Sequence, residues 1–243
     1  SDIKAGGQGA PLAPLFHSFL FGDEEEIRCV LNIGGIGNIS IFKGREVIAG
    51  YDTGPGNVLM DSWSMHNGIG PYDKNGDWAR SGKLNDPLQM SLLEQDNFIE
   101  KSHPKSTGTD YYNIDFIIRA IKECGQDIKP EDVQRTLLEF TAGSFAFIGE
   151  DNISMPIEER SSWIAISGGG SKNKFLVERI EDLFYIMPGE LKTTEAWGVD
   201  SEWVEALGFA YLAFLRMNEI SVDLSKVTGS RSQILLGNIQ TPN

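Results

Sequence analysis

A single carboxylate, Asp52, stands in the run Gly50-Tyr51-Asp52-Thr53-Gly54-Pro55-Gly56-Asn57, among three glycines and a proline. Glycine lets a backbone take unusual angles and approach a ligand closely. An apolar-periodic stretch follows from Val58. The run therefore reads as a turn between a strand and a helix, with free N–H groups and a favourable dipole at the helix start. A carboxylate at the lip of such a turn suits a proton acceptor beside an anionic substrate. The structural alternative is an Asp that bonds its own backbone to hold the turn.

Two further glycine segments could handle phosphate. Asn32-Ile33-Gly34-Gly35-Ile36-Gly37-Asn38 sits at a strand end, where backbone N–H groups can form a cradle; a plain hairpin is the alternative. Gly168-Gly169-Gly170 follows an apolar run at 163–166 and opens a helix, a pattern that can hold phosphate or adenosine. It lacks the G-x-x-x-x-G-K-[ST] order of a P-loop, and a tight turn without ligand would look the same. Glu205 lies in an apolar helical stretch between Val204 and Ala206, where an inward carboxylate needs a partner or a ligand. The loop Lys105-Ser106-Thr107 is polar and partly basic. His17, His66 and His103 are scattered without metal-ligand spacing, so no protein-built zinc site is expected.

These residues must be positioned by strands and helices. Apolar, β-branched runs predict strands at 27–33, 38–43 and 46–48, the last two joined by a Lys43-Gly44-Arg45 turn. Their short connections make them sheet neighbours in a meander. Helices are predicted at 14–21, from 58, at 87–95, 112–124, 130–148, 175–183 and 201–217, with loop across 68–86. Pro130 suits a first helical turn, with Glu131 and Asp132 at its positive end. Strands alternating with long helices give an α/β layered fold, a mixed sheet of about five strands covered on both sides.

The chain has 243 residues, 40% of them hydrophobic, and a net charge of −14 from 21 basic and 35 acidic side chains. That balance argues against nucleic acid, whose backbone needs a basic footprint, and suits small ligands. Cys29 and Cys124 are far apart and in no C-x-x-C pattern, which reads as two reduced thiols. No run approaches the ~18 apolar residues of a membrane span, and no signal-like segment opens the sequence. The cytoplasm is the expected compartment.

The quoted segments, taken in order with Gly6-Gly7-Gln8-Gly9-Ala10-Pro11-Leu12, Asp61-Ser62-Trp63, Pro104-Lys105-Ser106-Thr107-Gly108 and Glu205-Ala206, resemble the anhydro-N-acetylmuramic acid kinases over nearly the whole chain. The resemblance implies the actin-like, ribonuclease H-like sugar-kinase fold, a mixed sheet flanked by helices. It also implies a two-lobed enzyme whose first phosphate loop is not in this sequence. Residues 1–26 then read as remnant of, and crossover from, the N-terminal lobe, and 27–243 as the C-terminal kinase domain. Asp52 takes the place of the general base. Lys105, Ser106, Thr107 and Glu205 border the sugar. Asn32, Gly34, Gly35, Gly37 and Asn38 form the phosphate segment, and Gly168, Gly169 and Gly170 the adenosine-side loop. ATP is the expected nucleotide. Mg2+ is expected on its phosphates with few direct protein ligands, and the sugar and ATP are the expected partners, with a homodimer among the permitted assemblies. Two other readings stay open on the residues alone. One is a non-catalytic sugar-binding module. The other is a glycosidase pairing Asp52 with Glu205, which needs their carboxyls about 5–9 Å apart.

Overall fold

The computed structural model describes residues 2–146, 163–183 and 190–240. Its framework is one five-stranded sheet in the order β3-β2-β1-β4-β5, built from β1 (Ile27–Ile33), β2 (Ile36–Lys43), β3 (Glu46–Pro55), β4 (Trp163–Ser167) and β5 (Glu190–Thr193). β1, β2 and β3 form an antiparallel meander, while β1–β4 and β4–β5 pair in parallel. The sheet is therefore mixed, and the three expected strands are neighbours. β3 runs seven residues past the predicted end at 48, through Asp52 to Pro55. Asp52 thus lies inside a strand and not at the lip of a turn.

Alternation along the strands sends side chains to two faces. Cys29, Leu31 and Ile33 of β1, Ile39 and Ile41 of β2, and Ile164 and Ile166 of β4 enter the larger core. That face is covered by α2 (Val58–His66), α3 (Asp77–Ser81), α4 (Asp86–Gln95), α5 (Ile114–Cys124), α6 (Pro130–Ala146) and α7 (Lys174–Leu183). Val30, Phe42 and Ala165 point the other way, to a smaller cluster under α1 (Ala13–Phe21) and α8 (Val204–Met217). After α8 the chain folds back, closing a third cluster of Leu224, Val227, Ile234 and Leu236 against Leu12 and Leu15.

Local chemistry explains the helix limits. Asn85 and Asn113 cap α4 and α5 by accepting the Leu88 and Phe116 N–H groups. Gly125, in the left-handed region at φ 64°, ends α5. The predicted loop at 68–86 is a correction, because α3 lies within it. The Asp73 carboxylate accepts the Trp78 and Ala79 N–H groups, both at 2.9 Å, and so nucleates that turn of helix. α8 starts at Val204, not 201. Residues 147–148, assigned to the end of a helix by sequence, lie outside the described residues. Cys29 and Cys124 are both free thiols. Among the described residues no helix is long and apolar enough to cross a membrane.

Candidate active site

A polar row crosses the α1/α8 face of the sheet. Ser167 of β4 pairs with Asn32 of β1, Asn32 with Asn38 of β2, and Asn38 with Asp52 of β3. Register partners share a face, and the Val30, Ala165 and Gly50 positions two residues away point to α1 and its surroundings. Ser167 Oγ donates to Asn32 Oδ1 at 3.2 Å. Among the described residues Asn38 Oδ1 is buried without a hydrogen-bond partner, an arrangement that costs stability unless a ligand or water satisfies it. Four polar side chains where the strands would otherwise continue apolar mark the floor of a site.

Above this floor lies a cavity of about 680 Å³ between the sheet end, α1 and α8. Both glycine turns open onto it, through Gly34 and Gly35 on one side and Gly168 and Gly169 on the other, with Asn32, Asn38 and Glu205. His17 of α1 also lines it. Its ring is buried, 2.7 Å from Ser40 Oγ, and burial lowers its pKa to about 3, so it is a neutral imidazole. Glu205 is exposed at the rim. So are Lys172 and Glu202, which form an ion pair with each other.

The first glycine turn has two jobs. The carbonyls of Gly34 and Gly35 accept the N–H groups of Gly56, Asn57 and Val58 at 2.8–3.1 Å. They cap α2, so the N–H groups expected to be free beside Asp52 are taken by protein; that expectation is overturned. Among the described residues no acceptor takes the N–H groups of Gly34 and Gly35 themselves, and these remain for a ligand. Asn57 joins the two turns: its Nδ2 donates to the Ile33 carbonyl at 3.4 Å, and it flanks the Cβ positions of both Gly169 and Gly170.

The six glycines of the expected nucleotide segments are not equivalent. A Cβ on Gly34, Gly35 or Gly169 would meet nothing closer than 3.4 Å, whereas on Gly37 it would strike Phe145 at 2.5 Å and on Gly170 Ile33 at 2.2 Å. Gly37 and Gly170 do not line the cavity and are glycines for close packing. Gly168 has φ +81° and sits against Asn32 Oδ1 and the Ile33 carbonyl, so its glycine is required by conformation and space alike.

Asp52 lies at the far end of the row, beside the loop carrying residues 104–108. Its backbone N–H donates to the Lys105 carbonyl at 3.2 Å, and its Oδ2 accepts the Thr107 N–H at 2.9 Å. The carboxylate is only 5% exposed. Burial raises its pKa to about 6, against the opposing pull of the Thr107 hydrogen bond and the Lys105 charge. Asp52 does not line the cavity, whereas its neighbour Asn38 does. A pair of carboxylates facing each other across one cleft, as a glycosidase requires, is therefore not what Asp52 and Glu205 form around this cavity. Lys105, expected at the sugar, turns inward: it is 6% exposed, and Nζ donates to the Ile99 carbonyl at 2.5 Å. Ser106 and Thr107 are half-buried next to it.

Sequence reasoning missed Ser167, Asn57 and His17. The period-2 spacing of Ser167 after Ala165, and of Asn38 and Ser40 before Phe42, was a readable signal of a polar patch on an otherwise apolar face. Among the described residues no group of three or more His, Cys, Asp or Glu could hold a metal ion.

The sheet, the paired glycine turns and the buried carboxylate define an α/β protein with a polar cleft at one end of its sheet. The family model for anhydro-N-acetylmuramic acid kinase matches residues 1–242, and the chain belongs to that family. Curated relatives named anhydro-N-acetylmuramic acid kinase are similar throughout. One from Aliivibrio fischeri is 40% identical over 100% of this chain and 64% of its own length. One from Saccharophagus degradans is 41% identical over 99% and 62%. The chain thus spans less than two thirds of the length of these relatives. Among solved structures, the activator of the 2-hydroxyisocaproyl-CoA dehydratase from Clostridium difficile with bound ADPNP is similar at a TM-score of 0.41. It is 15% identical over 85% of this chain and 66% of that one, a likeness too loose to define a topology.

Proposed function

We propose that this chain carries the base and one wall of the nucleotide cleft of an ATP-dependent kinase acting on 1,6-anhydro-N-acetylmuramic acid, in peptidoglycan recycling. The product is N-acetylmuramic acid 6-phosphate. One observation carries the reading: the polar row Ser167–Asn32–Asn38–Asp52 runs from the second glycine turn to a buried carboxylate. Phosphate bound at the glycine N–H groups and a sugar reaching Asp52 would then share one floor.

In this scheme Asp52 takes a proton from water. The water oxygen attacks the anomeric carbon, and the bond from that carbon to O6 breaks. O6 takes the γ-phosphoryl group and ADP leaves. A carboxylate with a pKa near 6 is mostly ionised at pH 7 yet more basic than an exposed Asp, which is the compromise general-base catalysis favours. Gly34 and Gly35 N–H groups, with Gly168 and Gly169 opposite, hold the nucleotide. Magnesium, when bound with ATP, would supply neutralisation of the phosphate charge. Glu205, Ser106 and Thr107 remain candidates for hydrogen bonds to the sugar. Residues 27–243 act as the C-terminal kinase domain, with 1–26 as its crossover, in a cytoplasmic enzyme.

The test uses the chain extended to the full length of its relatives, with ATP, magnesium and the anhydro sugar in water carrying heavy oxygen. The expected product is one phosphorylated sugar per ADP, with the heavy oxygen on the anomeric carbon. Heavy oxygen in inorganic phosphate, with the sugar untouched, would refute coupled cleavage. Sugar binding without turnover would support the binding-module alternative instead.

A further inference from the structure

The members of the polar row are hydrogen-bonded, with one exception. Ser167 Oγ donates to Asn32 Oδ1 at 3.2 Å, Ser40 Oγ lies 2.7 Å from His17 Nδ1, and Asp52 Oδ2 accepts the Thr107 N–H at 2.9 Å. Asn38 stands among them. It is two residues from Ser40 on the same face of β2, and in register with Asn32 on one side and Asp52 on the other. Its side chain is 9% exposed, and its Oδ1 accepts no hydrogen bond from any described residue. Other buried polar atoms share that condition. Among the described residues only Asn38 combines it with a place in the wall of the cavity between the glycine turns. A buried acceptor without a donor is costly, and the cavity is the side from which a donor can arrive.

We propose that Asn38 is a substrate-side hydrogen-bond acceptor: its Oδ1 holds an O–H group against Asp52, and it is not the phosphate contact that its sequence segment implies. This rests on the reading of the cleft as a kinase site with Asp52 as the base. The argument is one of donors and acceptors. An amide oxygen accepts and does not donate. The oxygens of ionised phosphate are acceptors too, so a nucleotide phosphate leaves Asn38 Oδ1 unsatisfied. The proposed reaction brings two O–H sources to this end of the row, the attacking water and the hydroxyls of the sugar. Side chains at paired positions on neighbouring strands start about 5 Å apart at Cβ. One small group can therefore bridge the Asn38 oxygen and the Asp52 carboxylate, donating to the first while the second takes its other proton or fixes its orientation.

The test compares wild type, Asn38→Leu and Asn38→Ser in the chain extended to the length of its relatives. Leu keeps the outline of Asn without polar atoms, and Ser restores a smaller acceptor. Asn38→Leu should melt at or above wild type, because an unsatisfied acceptor is gone. Its Kd for ATP by calorimetry should be unchanged, while kcat falls about 5- to 100-fold and Asn38→Ser recovers part of the loss. A rise in the Kd for the anhydro sugar alongside the fall in kcat would assign the bond to a sugar hydroxyl. A fall in kcat with the sugar Kd unmoved would assign it to the attacking water. Either supports the inference. Unchanged kcat and sugar Kd in a folded Asn38→Leu enzyme would overturn it. So would a loss of ATP affinity alone, which would make the Asn38 amide a donor to phosphate. Melting well below wild type in both variants would also overturn it, since the oxygen would then be satisfied within the fold. Failure of the underlying reading looks different: full turnover in Asp52→Asn would remove the base, whereas the two Kd values of Asn38→Leu report on Asn38 alone.

Discussion

Replacing Asp52 with Asn should stabilise the fold at neutral pH, and the effect should depend on pH. Burial raises the Asp52 pKa from 3.8 to about 6. The folded state therefore binds this proton more tightly than the unfolded state. Stability from this group is fully present below the unfolded pKa and is lost as pH rises through about 6. A shift of about two units corresponds to ~3 kcal/mol at neutral pH. Asn removes that cost and keeps an oxygen to accept the Thr107 N–H. Its amide also brings a donor to the strand position paired with Asn38, whose Oδ1 is buried without a partner among the described residues. Against this, the buried Lys105 ammonium loses a favourable neighbour. A net gain of about 1–2 kcal/mol remains, or roughly 2–8 °C in Tm for a chain of this size. The assay is thermal melting of wild type and Asp52→Asn from pH 4 to pH 8. The gain should be present at pH 7.5 and fade toward pH 4. A variant that melts lower than wild type at pH 7.5, or a difference that ignores pH, would refute a destabilising buried charge and make Asp52 a structural residue.

Three other outcomes follow from the packing. Gly169→Val should leave the melting temperature within about 2 °C of wild type, because its Cβ position is open to 3.9 Å, but should weaken nucleotide binding by calorimetry. Gly170→Ala should cost about 1–3 kcal/mol in denaturant unfolding, since its Cβ would press into Ile33 at 2.2 Å. Glu139 is buried and joins Arg135 of α6 to Arg179 of α7 at 2.7 and 2.8 Å. Glu139→Ala should cost about 1–3 kcal/mol by the same assay, discounted for the partial exposure of both arginines.

The framework was legible because its strands obey a two-residue period. Residues 27–33 alternate between the large core and the α1/α8 face, and β1 spans that range. The Gly50–Gly56 run misled because composition mimics a turn. Its glycines instead admit neighbours into a strand: a Cβ on Gly50 would strike Pro14 of α1 at 2.2 Å, and on Gly54 Ser144 of α6 at 2.9 Å. Such close approaches are tertiary and leave no local periodicity. β5 was missed for a similar reason, since four residues paired along β4 carry little signal of their own. The two glycine turns were legible by residue type, but which of their glycines face the cavity was not. Gly34 and Gly169 face the cavity while Gly37 and Gly170 fill contacts. Lys105 looked like a surface cation because the carbonyls that hold it, at Phe98 and Ile99, come from a loop with no motif.

The central claim is that Asp52 is the proton acceptor, and its most direct test is turnover of Asp52→Asn in the chain extended to the length of its relatives. Phosphorylation of the anhydro sugar is followed at saturating ATP, alongside a melt that confirms the fold. Turnover should fall by roughly 10²–10⁴-fold, the usual share of a positioned base, while ATP binding at the glycine turns changes little. A folded Asp52→Asn enzyme with near wild-type turnover would contradict the account.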